Sequence, residues 1–318
     1  MRLLGLSFGS KMGNNEVLIK EALMAAKELG NIEVGFIRML DLDIEPCRGC
    51  TVCARSLREG GDGKCVIKDD LPLVDEQVMQ SDGLIIGAPV YVLAPPGLYK
   101  SVADRWGPSH DMAWRMEAKK IAQGKGKKGP DERVFKRRVA GFMCTGGAAT
   151  PHWLSLGLPL MNLLTFSSHI AVIDQLAVFP LSRLGHITLH SDVLERARKL
   201  GWNVAGAMGK PDKELKWQGD TPGTCPVCHS NLLTVTDKNP VECPICGIAG
   251  EIKVSRGKIT VSFSEAEQAR SRLTIAGKKE HWDELAGNAK FMAIRQQKAD
   301  EIAKNMEKYK GYAEVKLK

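Results

Sequence analysis

Short apolar runs alternate with amphipathic stretches along residues 1–208. Residues 2–7 (RLLGLS) predict a buried strand, and 15–29 (NEVLIKEALMAAKEL) carry apolar side chains at helical spacing, with Gly30 as a stop. Residues 32–39 predict a second strand, 70–80 a helix, and 83–88 (GLIIGA) a third strand bounded by Pro89. A helix over 96–106, a strand over 138–144, a helix over 151–164, a strand over 169–174 and a helix over 191–208 follow. Strand–helix alternation of this kind predicts an α/β fold, a doubly wound parallel sheet covered on both faces. Such a sheet carries its ligand at the carboxyl ends of its strands.

The pattern changes after residue 208. Residues 209–223 are polar and rich in Gly and Pro, as a linker is, and 224–262 form a compact cysteine module. Residues 263–318 read as a charged, mostly helical tail, with Phe291, Ile294, Ile302 and Met306 at approximate helical spacing for packing or dimer contact.

Composition narrows the class. With 43% hydrophobic and 26% charged residues the chain is globular, not disordered. No apolar run approaches the roughly 20 residues that cross a bilayer, and the N-terminal run is too short for a secretory leader, so the expectation is a cytoplasmic protein without a membrane partner. The net charge of +8 owes much to the stretch Lys119–Arg138, inside an insertion at 115–138. A run of this kind is first a solvated loop, then an attractor of anionic ligands. It lacks the interleaved aromatic residues of a base-stacking platform, which argues against nucleic acid.

Three loops carry candidate binding chemistry. Ser7 to Asn15, with Ser10 and Asn14 between them, leads straight into a helix; small residues and a helix N-terminus suit a phosphate, although such clusters also make plain turns. Pro89-Val90-Tyr91-Val92 leaves the third strand, and Thr145-Gly146-Gly147 the fourth. All three emerge at one sheet edge, where the later two offer backbone groups and a ring to a flat heterocycle. Tyr91 is read as a ring contact, with a buried core position as the alternative.

Eight of the 9 cysteines fall in two clusters. Cys47, Cys50 and Cys53 are spaced Cys-x2-Cys-x2-Cys, and Cys65 follows after eleven residues. Four thiolates in one Gly-containing loop suit a [4Fe–4S] cluster; a zinc site and redox-active free thiols remain open readings. Cys225, Cys228, Cys243 and Cys246 form two Cys-Pro-x-Cys knuckles fourteen residues apart. That spacing predicts a zinc ribbon, or a rubredoxin-like iron site, with no open position for catalysis at the metal. His229, beside a complete ligand set, reads as solvent-facing.

In order, the chain shows Gly9-Ser10, Asn14-Asn15, Ala88-Pro89-Val90-Tyr91, Lys100 to Asp104-Arg105, and Gly146-Gly147. In these motifs it resembles the NADPH-dependent FMN reductase and iron–sulfur flavoprotein group of the flavodoxin-like superfamily. The first loop departs from the group pattern in lacking its Pro-Arg pair. The resemblance implies a flavodoxin-like fold, FMN with its phosphate on Ser7–Asn15 and its ring between the second and third loops, NAD(P)H as a donor, and a homodimer or homotetramer. It also implies a [4Fe–4S] cluster on the first cysteines.

The leading expectation is an FMN-dependent oxidoreductase passing electrons from NAD(P)H or a reduced carrier, through flavin and a [4Fe–4S] cluster, to a small-molecule or protein acceptor. Flavin takes electron pairs and releases single electrons, and a cluster moves one at a time. The alternatives are an NAD(P)H-dependent FMN or quinone reductase without a cluster, and an electron carrier with no small-molecule substrate. His110, Asp111, Trp114 and His152 are candidate pocket residues; Trp106 and Trp153 read as core, and Cys144 as a small buried hydrophobe. No Ser/His/Asp order and no His-Glu-x2-His motif argues for hydrolysis.

Overall fold

The computed structural model describes residues 1–181, 183–237, 240–287 and 289–315, with side chains outside 286–292. Its elements are β1 (Arg2–Ser7), α1 (Asn14–Glu28), β2 (Glu33–Arg38), α2 (Val52–Arg58), α3 (Leu71–Gln80), β3 (Gly83–Pro89), α4 (Gly97–His110) and α5 (Met112–Gly124). Then come β4 (Val139–Thr145), α6 (Gly157–Phe166), β5 (Ala171–Val178) and α7 (Ser191–Ala207). The first five strands form a parallel sheet in the order β2-β1-β3-β4-β5, the flavodoxin-like winding. Strand order reverses at β1 and β3, so the loops after them flank the natural ligand crevice.

Both faces of the sheet are buried, and alternation along each strand decides which side chain goes where. Leu4, Leu6, Leu84, Ile86, Ala140, Phe142 and Cys144 join Tyr99, Trp106, Met161 and Leu164 in one core. Leu3, Ile85, Val139 and Met143 join Leu18, Ile19, Ala22, Leu200 and Val204 of α1 and α7 in the other. Helices α1 and α7 approach so closely that a Cβ at Gly201 would collide with the Ala22 carbonyl.

The basic stretch differs from the expected solvated loop. Its first part is helix α5, and Ala113, Trp114, Ala118 and Ala122 bury the inner face of that helix. Arg138 is also buried: its guanidinium donates to the carbonyls of Val78 (2.9 Å), Met79 (2.8 Å) and Ser81 (3.1 Å) at the end of α3. Unpaired carbonyls at a helix C-terminus are a ready site for such a cation, which explains why this arginine turns inward. Residues 151–154 form a short 3-10 turn ahead of α6, not its first turn.

The ribbon sheet is β6 (Val241–Cys243), β7 (Ile248–Ser255) and β8 (Lys258–Ser262), antiparallel, followed by α8 (Glu265–Ala269) and α9 (Ile275–Gly287). Residues 232–236 contribute one bridge, Thr234 to Glu242. Met1–Lys278 form one compact unit, so the cysteine module packs with the α/β body. The Gln218 N–H donates to the Ile173 carbonyl of β5 at 2.9 Å, and Gln175 Nε2 reaches the Cys228 carbonyl at 3.4 Å. A second unit begins at Lys279 and contains α10 (Ala289–Gln297) and α11 (Ala299–Glu307), on which Ile294, Ile302 and Met306 are exposed. The Phe291 side chain lies outside the described residues. No described helix is long and apolar enough to cross a membrane.

Candidate functional site

The three loops meet at the carboxyl edge of the parallel sheet, and hydrogen bonds join them. The Phe8 N–H donates to Gly87 O at 2.8 Å, and the Val90 N–H to Thr145 O at 2.8 Å. Asn15 Nδ2 donates to the Thr145 hydroxyl at 2.7 Å, tying the first loop to the third. Asn15 Oδ1 is buried and has no hydrogen-bond partner among the described residues.

Within the first loop, Ser7 is fully buried and accepts the Gly9 N–H at 3.3 Å, while Ser10 lies exposed and its carbonyl accepts the Gly13 N–H at 2.9 Å. Gly13 is the N-cap of α1 and carries no side-chain cap, so the first-turn N–H groups point at the loop. A Cβ on Gly9 would stand 3.3 Å from Asn15 Cβ and 3.7 Å from Pro89 Cδ, filling the space between the first two loops. An uncapped helix start, a small-residue cradle and an unpartnered buried oxygen fit a phosphate-bearing cofactor.

Asn14 ties a further loop to this edge. Its Nδ2 donates to the Arg183 carbonyl at 3.0 Å, and its Oδ1 accepts the Ile187 N–H at 3.3 Å, so it pins the loop after β5 over α1. Glu16 is buried beneath the first loop. Burial alone would raise its pKa, but hydrogen bonds from Arg38 Nε (2.9 Å), Lys20 Nζ (2.6 Å) and the Met12 N–H (3.0 Å) bring it down to about 2. The carboxylate is therefore ionised and balanced by two cations below the phosphate loop.

The second loop turns tightly. Tyr91 and Ala94 exchange backbone hydrogen bonds of 2.9 and 3.3 Å, with Val92 at φ 47° and Leu93 at φ 71°. A β-branched residue with positive φ is strained, and such strain collects at functional sites. Tyr91 is 58% exposed, which removes its reading as a core residue and leaves the ring free for a ligand. In the third loop the Gly146 N–H donates to Val178 O at 3.0 Å, and a Cβ there would meet Leu154 carbons at 2.7 Å. Gly147 is exposed beside it.

Of the other candidates, His110, Asp111 and Trp114 are buried at the α4–α5 junction. His110 Nδ1 contacts the Ser109 hydroxyl at 2.8 Å, its ring stacks on Trp106, and burial lowers its pKa. Asp111 accepts the N–H groups of Ala113 and Trp114 as the α5 cap. His152 is exposed, and so is Trp153, against its expected core position, while Trp106 is core as read. Cys144 is fully buried, and burial pushes its thiol up to about 12.

The first cysteine loop turns through left-handed Gly49 and Thr51, and the Gly49 N–H reaches Cys47 Sγ at 3.5 Å. Cys47 and Cys50 are exposed, Cys53 and Cys65 half-buried. Burial raises the Cys53 pKa, and the nearby charges of Cys65, Cys50 and Cys47 raise it further, so all four sulfurs share one neighbourhood. Four cysteines in one such loop fit a [4Fe–4S] cluster, which takes one thiolate per iron.

The second set is tight. Cys225, Cys228, Cys243 and Cys246 are all buried, with their sulfurs within 4.8 Å of one another. The Cys225–Cys246 and Cys228–Cys243 sulfur pairs are each 3.6 Å apart. Sulfurs at about 2.3 Å from a tetrahedral ion stand close to that far apart, so the set fits one zinc or iron ion. His229 and Gly247 occupy the same left-handed position after each knuckle. His229 is not solvent-facing as expected: its ring stacks 3.7 Å from Trp217 and its Nδ1 contacts the Pro222 carbonyl at 2.7 Å. Trp217 lies in the linker, beyond the reach of local spacing rules.

Residues 1–178 match the family described as NADPH-dependent FMN reductase. A flavone synthase of Aspergillus candidus is 30% identical over 295 residues, 90% of this chain and 88% of its own length. The structure of a flavone reductase covers 100% of both chains with a TM-score of 0.83 and 28% identity. An iron–sulfur flavoprotein of Methanocaldococcus jannaschii is 36% identical over 109 residues, 34% of this chain and 53% of that protein.

Proposed function

The chain belongs to the NADPH-dependent FMN reductase family and is a flavin-dependent oxidoreductase, and from that premise we propose that it reduces a flat, conjugated aromatic enone of the flavone class at the expense of NAD(P)H. FMN held at the three-loop edge would supply the chemistry, accepting a hydride from the nicotinamide and delivering it to the carbon–carbon double bond, with one proton from solvent completing the reduction.

The protein's own part is binding and orientation. The uncapped start of α1, with Ser7 and Gly9, receives the phosphate, and Asn15 holds that loop against Thr145. The strained turn at Val92 presents the Tyr91 ring to solvent at the same edge, where it can cover a planar ligand. The observation that carries the substrate class is similarity over 90% and 100% of the chain to two proteins named for flavones. The shorter likeness to an iron–sulfur flavoprotein supports a [4Fe–4S] cluster on Cys47, Cys50, Cys53 and Cys65. The ribbon cysteines would hold zinc, closing the module against β5.

The test is anaerobic. Protein bleached by one equivalent of NADPH or NADH should regain its oxidised flavin spectrum on adding flavone, with flavanone as product. Reoxidation by a quinone but not by flavone would replace this reading with a quinone reductase. Bleaching only by a reduced ferredoxin would replace it with a carrier.

A further inference from the structure

Asp69 and Arg105 both have completely buried side chains, and they form an ion pair. Arg105 Nη2 donates to Asp69 Oδ1 at 2.9 Å, Nη1 donates to Oδ2, and Nη1 also reaches the Glu45 carbonyl at 3.2 Å. Asp69 in turn accepts the N–H groups of Glu45 at 2.9 Å and Leu71 at 3.2 Å. Glu45 lies just before Cys47 and Asp69 just after Cys65. One buried pair therefore clasps both ends of the loop that carries all four cysteines.

The charge of Cys65 acts on the Arg105 guanidinium, whose buried Nε has no hydrogen-bond partner among the described residues. Burying two charges is costly, and an apolar pair of similar volume would hold two loop ends at least as well. An apolar pair cannot place a fixed positive charge beside a thiolate. Four thiolates around a [4Fe–4S] core leave a net negative charge, which grows by one when the cluster takes an electron.

We propose that Arg105 is the positioning residue of the first cysteine site: it holds Cys65 as the fourth ligand and favours the reduced cluster over the oxidised one. The inference rests on the cluster reading above. The step involved is one electron from reduced flavin to the cluster, with no proton and no bond to the protein made or broken. A cation at this place raises the reduction potential, because the added charge forms close to it.

The test compares wild type with Arg105→Met, Arg105→Lys, Cys65→Ala and the Cys65→Ala/Arg105→Met double variant, each full-length and reconstituted anaerobically with iron and sulfide. The readouts are iron and sulfide per chain and the cluster's midpoint potential. Arg105→Met should lower iron content and shift the potential negative, and Arg105→Lys should recover much of the shift. Cys65→Ala should lower iron content, and adding Arg105→Met to it should lower it no further. If Arg105→Met fails to fold, Asp69→Asn/Arg105→Met removes both charges and supplies the same comparison. A wild-type cluster whose iron content and potential are unchanged in the Arg105 variants would overturn this inference alone. Wild type that binds no sulfide would overturn the cluster reading and this inference with it.

Discussion

The side-chain amide of Asn15 donates to the hydroxyl of Thr145 at 2.7 Å, joining the first turn of α1 to the last residue of β4. Its other amide atom, Oδ1, is left buried and unpartnered at the loop junction. Asn15→Ala should therefore weaken FMN binding by roughly tenfold, the worth of about one buried hydrogen bond, with little change in riboflavin binding if the loss falls on the phosphate loop. Flavin fluorescence quenching on titration of apoprotein measures both. An equal loss for the two flavins would move the role of Asn15 to the ring.

Glu16 makes stability depend on acid. Its folded pKa, about 2, lies below its ordinary value, so the unfolded chain takes up the proton first. The contribution is present above the ordinary carboxylate range near pH ~4.3 and is lost as pH falls toward the folded value. Glu16→Gln should flatten the pH dependence of stability between these limits and lower the unfolding free energy from urea titration at neutral pH by about 1–2 kcal/mol, since the Arg38 partner is left underpaired. An unchanged acid limb would show that other carboxylates control it.

The contact of α1 with α7 is steric. A Cβ at Gly201 would meet the Ala22 carbonyl, so Gly201→Ala should cost about 1–3 kcal/mol through overpacking, despite alanine's better helix propensity. Chemical denaturation gives the number, and a stabilised variant would mean that the helices shift freely.

The ribbon should hold one ion per chain. Cys243→Ser should weaken its metal affinity on the order of 100-fold or more, because a ligand is lost outright where loss of a mere outer partner costs ~10–100-fold. Fluorescence of Trp217 should change with the metal, since its ring stacks on His229 next to Cys228. Retention of the ion with an unchanged spectrum would count against a four-sulfur site.

Much of this was legible from spacing. The apolar runs gave the sheet because alternation buries both faces, and the two knuckles pointed to one centre because Cys-x2-Cys geometry is local. What escaped is long-range. Arg138 looked like one more cation in a basic run until α3 presented its carbonyls. The buried face of α5 was hidden by the lysines around it. The Asn14 side-chain amide reaches the loop after β5, a contact which no local pattern foretells. The clasp between Asp69 and Arg105 joins residues far apart in sequence, and only the fold brings them together.

A flavin enzyme with two distinct cysteine sites has a fixed composition. Flavin, iron, sulfide and zinc content of protein purified without oxygen, together with its visible spectrum, measures that composition. About one FMN, about four irons with matching sulfide, and about one zinc per chain are expected. Protein that neither carries FMN nor takes it up on reconstitution would not be a flavin enzyme.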